Sequence, residues 1–249
     1  MRCFKVTLAY DGTNYAGWQV QVDLPTVQDT FESALAVITG EVIRVVASGR
    51  TDAGVHALGQ VVSFTSETSL PLNELRRALS ANTPEDIAVL DVAQAASGFH
   101  AIRNAVAKRY RYVIQNSESP DVFARRYAWH VPQSLCAEAM HNAAQRLLGT
   151  HDFASFEASG SERASSVRTI TQSFVKHRTL ENREEIVTEI EADGFLYNMV
   201  RNIVGTLVEI GRGKHPPEWI EKVLAAEDRK VAGPTAPPHG LFLVRVDYE

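Results

Sequence analysis

Between residues 4 and 92 the spacing of apolar residues switches from two to three-and-four and back, twice, and this order constrains the fold more than any other feature. Phe4, Val6, Leu8 and Tyr10 alternate with Lys5, Thr7 and Ala9, which predicts a half-buried strand. Asp11-Gly12 supplies turn chemistry at its end. Val27, Phe31, Leu35 and Ile38 recur at helical spacing, which predicts an amphipathic helix over 27–39 capped by Thr26. Strands are expected over Val42 to Ala47, Gln60 to Phe64 and Ile87 to Val92, with a helix over Leu72 to Leu79. The resulting order, strand–helix–strand–strand–helix–strand, is that of the ferredoxin-like split βαβ arrangement.

The second half reads as a looser version of the same plan. Val106 to Gln115 and a short stretch near Tyr127 to Val131 are strands, and a helix is expected from Ser134 to Leu148. Two long strands, about 166–178 and 185–192, flank the polar turn Leu180-Glu181-Asn182. A helix is expected after Asp193-Gly194, a short one over Glu218 to Ala226, and a closing strand over Leu241 to Val246. The expected fold class is α+β: two ferredoxin-like or RRM-like halves, with antiparallel sheets and helices packed on them. The expected division is 1–105 and 106–249, with no Gly/Ser-rich linker and an active-site cleft at the seam.

With 45% hydrophobic and 22% charged residues over 249 positions, disorder and coiled coil are excluded. No apolar run reaches about 18 residues, so no membrane helix is expected, and the N-terminus carries no secretory signal pattern. Cys3 and Cys136 form no CxxC and the histidines are scattered, so neither a disulfide framework nor a metal site is expected, and a reducing cytoplasm fits. The net charge of −5 argues weakly against nucleic acid. Locally the balance reverses. Arg103, Lys108, Arg109, Arg111, Arg125 and Arg126 face only Glu118 and Asp121 within residues 101–130. Tyr110, Tyr112, Phe123, Tyr127 and Trp129 are interleaved with them. Cations for phosphates and flat rings for bases are the footprint of a nucleic-acid groove. Twisted strands with core aromatics and solvated arginines give the same pattern.

The segment from Ser48 to Ala57 reads as a loop after a strand, with an Arg and an Asp set between Gly49 and Gly54. A carboxylate there can act as nucleophile, base or metal ligand, or simply cap its own turn. The helix after Gly194 carries Phe195, Leu196, Met199, Val200, Ile203, Val204, Leu207 and Val208, so it is expected to be buried nearly all round. Arg is almost never buried unpaired. Asn198, Arg201, Asn202 and Gly205 form one polar stripe on that helix, which is expected to face a polar cleft. Gly211-Arg212-Gly213-Lys214 lacks the preceding strand and following Ser/Thr of a phosphate loop and reads as a helix C-terminus.

The stretch Gly49-Arg50-Thr51-Asp52-Ala53-Gly54-Val55-His56-Ala57 resembles the signature loop of the tRNA pseudouridine synthase A family. Further matches run along nearly the whole chain. They are Tyr10-Asp11-Gly12 with Gly17-Trp18-Gln19; Asn82-Thr83-Pro84-Glu85-Asp86-Ile87; Phe99-His100-Ala101; and Lys108-Arg109-Tyr110-Arg111-Tyr112. The rest are His151-Asp152-Phe153 with Ser155-Phe156, then Gly194 to Arg201, then Pro237-Pro238 with Gly240-Leu241. The resemblance implies an isomerase that converts uridine to pseudouridine at positions 38, 39 and 40 of the tRNA anticodon stem-loop, without metal or organic cofactor, as a homodimer. It implies Asp52 as the catalytic carboxylate, Arg50 as the side chain that fills the gap of a flipped uridine, and Tyr110 as the ring stacked on the uracil. Lys108, Arg109, Arg111, Arg125 and Arg126 are the expected phosphate contacts. Tyr112 is expected in the core. Arg201 is expected to pair with Asp52; Glu209 or an RNA phosphate are the alternative partners. One departure stands out: the family's Arg after Phe-His-Ala is Ile102 here, with Arg103 next. On a strand that shift turns the side chain to the other face. A duplicated RRM-like RNA binder without chemistry is the alternative function.

Overall fold

In the computed structural model, which describes residues 1–158, 160, 165–180 and 183–249, the chain divides into two compact units: Met1–Val106 with Phe242–Glu249, and Ala107–Leu241. The fold is mixed α+β, with mostly antiparallel strand pairing and helices on the sheets.

In the first unit, β1 (Arg2–Tyr10) pairs antiparallel with β3 (His56–Ser66) on one side and β4 (Ile87–Ala95) on the other. The alternation in β1 is real: Phe4, Val6, Leu8 and Tyr10 are buried, and Lys5, Thr7 and Ala9 are half-buried. α1 (Val27–Thr39) turns Phe31 and Leu35 inward, and α2 (Leu72–Asn82) turns Leu75 and Leu79 inward. The Thr26 hydroxyl caps α1 by accepting from the Asp29 N–H at 3.4 Å.

β2 is only Val46–Ala47, shorter than the expected strand from Val42. Ile43 and Val45 do point inward. The N–H of Val45, however, goes to the Glu32 carboxylate at 2.9 Å rather than to a neighbouring strand. β3 begins at His56, inside the expected loop. The last strand, β10 (Leu241–Tyr248), contributes nearly all its length to the first unit, where it runs parallel to β3 with Phe242 opposite His56. The division expected from the sequence, 106–249 for the second half, places it there instead.

In the second unit the sheet order is β5 (Ala105–Gln115), β9 (Arg183–Ala192), β8 (Val167–Leu180), β7 (Gly149–Asp152), all antiparallel; β6 (Trp129–His130) adds to β5 in parallel. β7 was not expected from the sequence. Glu181 and Asn182 of the expected turn lie outside the described residues. α3 (Ala137–Gln145) is shorter than expected because the N–H groups before it are used elsewhere: Leu135 donates to Asn116 Oδ1 and Cys136 to the Gly211 carbonyl. α5 (Trp219–Ala226) closes against this layer.

α4 (Met199–Gly211) starts later than expected, at a left-handed Asn198 with φ of 59°. Phe195 and Leu196 therefore precede it. Every residue of α4 is buried except Arg201 and Glu209. Of the expected stripe, Arg201 donates to Asn198 and to the Ala236 carbonyl. Asn202 and Gly205, with Thr206 beside them, face the strap Gly233-Pro234-Thr235-Ala236. Thr235 Oγ1 donates to Asn202 Oδ1 at 2.6 Å, and the Gly233 N–H donates to Thr206 Oγ1 at 2.9 Å. Arg229 reaches Asn202 Oδ1, Thr235 Oγ1 and the Gly233 carbonyl at 2.9–3.1 Å, closing the network.

A Cβ at Gly205 would stand 1.6 Å from the Pro234 carbonyl oxygen. Gly205→Ala gains about 1 kcal/mol of helix propensity. The strap must then move, at a cost of about 3 kcal/mol, the upper end of the usual overpacking range. Thermal or urea unfolding should show a net loss; a variant as stable as wild type would mean the strap yields freely.

Candidate active site

The segment between β2 and β3, residues 48–55, is a loop held on every side within the first unit. Trp18 N–H donates to the Thr51 carbonyl at 3.0 Å, Gly54 N–H to the Tyr15 carbonyl at 3.3 Å, and Val55 N–H to the Asp52 carbonyl at 3.1 Å. Gly12 packs against Val55 so closely that a Cβ would lie 2.0 Å from the Val55 carbonyl oxygen. The matched opening motif is thus the loop's support: Tyr10, Gly12 and Trp18 all touch it. Tyr15 in turn donates to Asp86 of the Asn82–Ile87 motif at 2.6 Å.

Beneath the loop lies a buried polar cluster that the sequence reading did not single out. Gln60 donates to the Gly49 carbonyl at 2.8 Å and to the Tyr10 oxygen at 3.4 Å. Its carbonyl accepts from Ser48 Oγ at 2.7 Å and from Val61 N–H at 3.1 Å. Tyr10 and Thr51 share a hydrogen bond of 2.8 Å. These residues sit inside strand patterns or next to glycine, where polar side chains carry no periodic signal. On top of the support, Arg50 is exposed and Asp52 half-buried.

Burial pushes the Tyr10 phenol up to about 12, with the Thr51 and Gln60 hydrogen bonds opposing. The unfolded chain ionises this group near 10, so the stability it contributes is complete below pH 10 and is lost as pH rises toward 12. That loss is roughly 2–3 kcal/mol. Tyr112 is raised further by its burial, against the Arg201 charge that lowers it. Melting temperature should therefore hold to pH 9.5 and fall steeply above 10. A flat profile to pH 11 would contradict the buried phenols.

In the second unit, Tyr110 is buried, edge-on to Phe195 with centroids 4.9 Å apart. Tyr112 is a core residue: its hydroxyl donates to the Pro237 carbonyl at 2.7 Å and its ring packs on Gly240. Arg201 is half-buried. Its Nε donates to the Ala236 carbonyl at 2.8 Å, and a terminal nitrogen donates to Asn198 Oδ1 at 2.7 Å. Glu209 is taken by Arg212 and Lys214, at 2.9 and 2.6 Å. Arg212 and Gly213 form the helix C-terminus, as the sequence reading expects.

The basic stretch separates into parts. Arg109 and Arg111 share a face of β5, opposite Glu191 and Glu189 on β9. Arg109 reaches Glu191 at 2.8 Å and Arg111 reaches Glu189 at 2.7 Å, so acids accompany both cations. Lys108 and Tyr110 lie on the other face. Arg125 and Arg126 are exposed beside Phe123 and Tyr127, in a turn whose start is fixed by Asp121 accepting from the Phe123 N–H. Ile102 and Arg103 lie in a turn over 101–104 rather than on a strand, and both are exposed, so the opposite-face argument does not apply to them. Among the described residues, no group of three or more His, Cys, Asp or Glu could hold a metal ion, and no helix is long and apolar enough to cross a membrane. Cys3 and Cys136 are free.

Comparison with known proteins converges on one family. The family model described as tRNA pseudouridine synthase matches residues 7–103 and 143–249. The tRNA pseudouridine synthase A of Moorella thermoacetica is 52% identical over 250 residues, covering all of both chains. That of Exiguobacterium sp. is 47% identical over 249 residues, covering all of this chain and 99% of the relative. That of Halalkalibacterium halodurans is 48% identical over 243 residues, covering 97% and 91%. The glycine-supported Arg-Thr-Asp loop lies within the matched span, and this chain belongs to the tRNA pseudouridine synthase family.

Proposed function

We propose that this chain isomerises uridine to pseudouridine at positions 38, 39 and 40 of the tRNA anticodon stem-loop, with Asp52 as the reacting carboxylate and no cofactor. The observation that carries this reading is the loop 48–55: an exposed Arg50 and a half-buried Asp52 on a hydrogen-bonded support, in a chain of this family. In the reaction the N1–C1′ bond breaks, the uracil turns, and a C5–C1′ bond forms. A proton leaves C5 and one is gained at N1, so no atom is added or lost. A carboxylate serves this by attacking, or by stabilising and deprotonating the cationic sugar as the bond breaks.

The uridine leaves its stack to be reached, at a cost of a few kcal/mol. Arg50 offers a planar guanidinium to the vacated space and the phosphate. Tyr110 stacks on the uracil. From the resemblance we infer that Arg201, tied to Asn198 and the Ala236 carbonyl, is the counter-ion of Asp52. We take the two units as variants of one ferredoxin-like plan, working as a cytoplasmic homodimer with one tRNA touching both subunits. The non-catalytic RRM-like alternative gives the Arg50–Asp52 pair no purpose, since an acid beside a phosphate repels.

Tritium release from C5-labelled uridine in tRNA tests the activity. Release at the modified positions is expected; binding without release would overturn the reading. Lys108, Arg109, Arg111, Arg125 and Arg126 supply the phosphate contacts, Arg109 and Arg111 with Glu191 and Glu189 beside them. Log affinity should fall with log salt by several units of slope, and Arg125→Glu with Arg126→Glu should weaken binding and flatten that slope. An unchanged slope would remove these two residues from the interface.

A further inference from the structure

We propose that Gln60 is a positioning residue for the reaction, acting through Tyr10 and Thr51 to fix the backbone on both sides of Arg50 and up to Asp52. This rests on the reading of Asp52 as the reacting carboxylate. Gln60 is completely buried, and buried amides are retained only where their hydrogen bonds are made. Here both ends of the amide are used, and three of the four contacts serve the loop or its support. The Nε2 group holds the Gly49 carbonyl, and the Oε1 atom holds the Ser48 hydroxyl, both immediately before Arg50. The second contact of Nε2 is the Tyr10 oxygen, which shares a hydrogen bond with Thr51 Oγ1, immediately before Asp52. Thr51 is itself buried, so its side chain is an inward anchor while its neighbours Arg50 and Asp52 are not buried.

One β3 side chain thus clamps residues 48 and 49 directly and residue 51 through a phenol. The backbone bonds from Trp18, Gly54 and Val55 hold the loop from Thr51 onward, where the amide's direct contacts are absent. A site of this kind loses rate steeply when a reacting group drifts by about an ångström, on the order of 100-fold, while the distributed phosphate contacts that bind the RNA are unaffected.

The experiment compares Gln60→Met, Thr51→Val and Thr51→Ser with wild type and Asp52→Asn, in single-turnover and steady-state assays on one tRNA, with melting curves and tRNA affinity alongside. Gln60→Met keeps the side-chain volume and removes the hydrogen bonds. Its kcat is expected to fall on the order of 30- to 100-fold with tRNA affinity within about threefold. Thr51→Val should fall similarly, and Thr51→Ser, which restores the hydroxyl, should recover most of the rate. The Gln60→Met/Thr51→Val double variant should be little worse than either single one, because both break the same chain of contacts. Folded Gln60→Met with wild-type kcat, or with rate and affinity lost in equal measure, overturns the proposal. If Gln60→Met does not fold, equal rates for Thr51→Val and Thr51→Ser overturn it. Turnover by Asp52→Asn would instead sink the underlying reading of the carboxylate.

Discussion

Asp52→Asn should abolish pseudouridine formation while leaving tRNA affinity within about tenfold of wild type. The substitution changes one oxygen to an amide nitrogen and keeps the shape. An amide neither attacks nor accepts a proton at neutral pH, so each chemical role available to the carboxylate is lost together. The fold should survive because the loop is anchored by other groups: the Thr51 and Asp52 carbonyls, the Gly54 N–H and the Tyr10–Thr51–Gln60 cluster. Affinity should survive because phosphate contacts dominate it, and a carboxylate contributes none. The check is single-turnover tritium release at saturating enzyme, beside a filter-binding or anisotropy titration. Measurable product from Asp52→Asn, free of contaminating wild type, would remove the catalytic assignment. Loss of binding in step with rate would make Asp52 a recognition residue instead.

β1 and α1 match their expected positions closely because each buries one face, and a one-faced element leaves a period in the sequence. The same arithmetic misjudged elements defined by polar partners. Val42 to Ala47 has the alternation of a strand, but Glu32 takes the Val45 N–H, so only its last two residues form the ladder. α4 starts at a left-handed Asn198, a backbone event with no hydrophobic signature. The strap over Gly205 is invisible for another reason: a close approach between segments almost thirty residues apart leaves only a glycine at each of two places. The closing strand joined the first unit because pairing partners are long-range facts. At the site, the Arg-Thr-Asp loop was legible through family resemblance and not through periodicity. Its support is half legible: Tyr10, Gly12 and Trp18 are letters of a matched motif, and Gln60 reads as one residue of a strand. In sequence the charges of Arg109 and Arg111 count toward an RNA groove, because the acids opposite them lie about eighty residues away.

Arg201→Met should cut turnover on the order of 100-fold, the usual scale for removing one aligned electrostatic partner of a reacting group, with a much smaller effect on tRNA affinity. Met keeps an unbranched apolar stem and discards the charge. It also gives up the donors to Ala236 and Asn198, yet the strap stays tied to α4 by bonds that do not use the guanidinium. The Ala236 N–H donates to the Arg201 backbone carbonyl at 3.1 Å, and Gly233 and Thr235 bind Thr206 and Asn202. A second arginine makes the control. Arg229 reaches Asn202, Thr235 and the Gly233 carbonyl, and is placed to hold the strap rather than to meet substrate. Arg229→Met should therefore lower the melting temperature, while Arg201→Met should lower kcat in a chain that melts nearly as wild type. Arg201→Lys should recover part of the rate, since the charge returns without the planar fork. If both arginine variants lose stability and neither loses turnover in its folded fraction, Arg201 is a structural residue and Asp52 works without it. If Arg201→Met loses affinity in proportion to rate, its partner is an RNA phosphate.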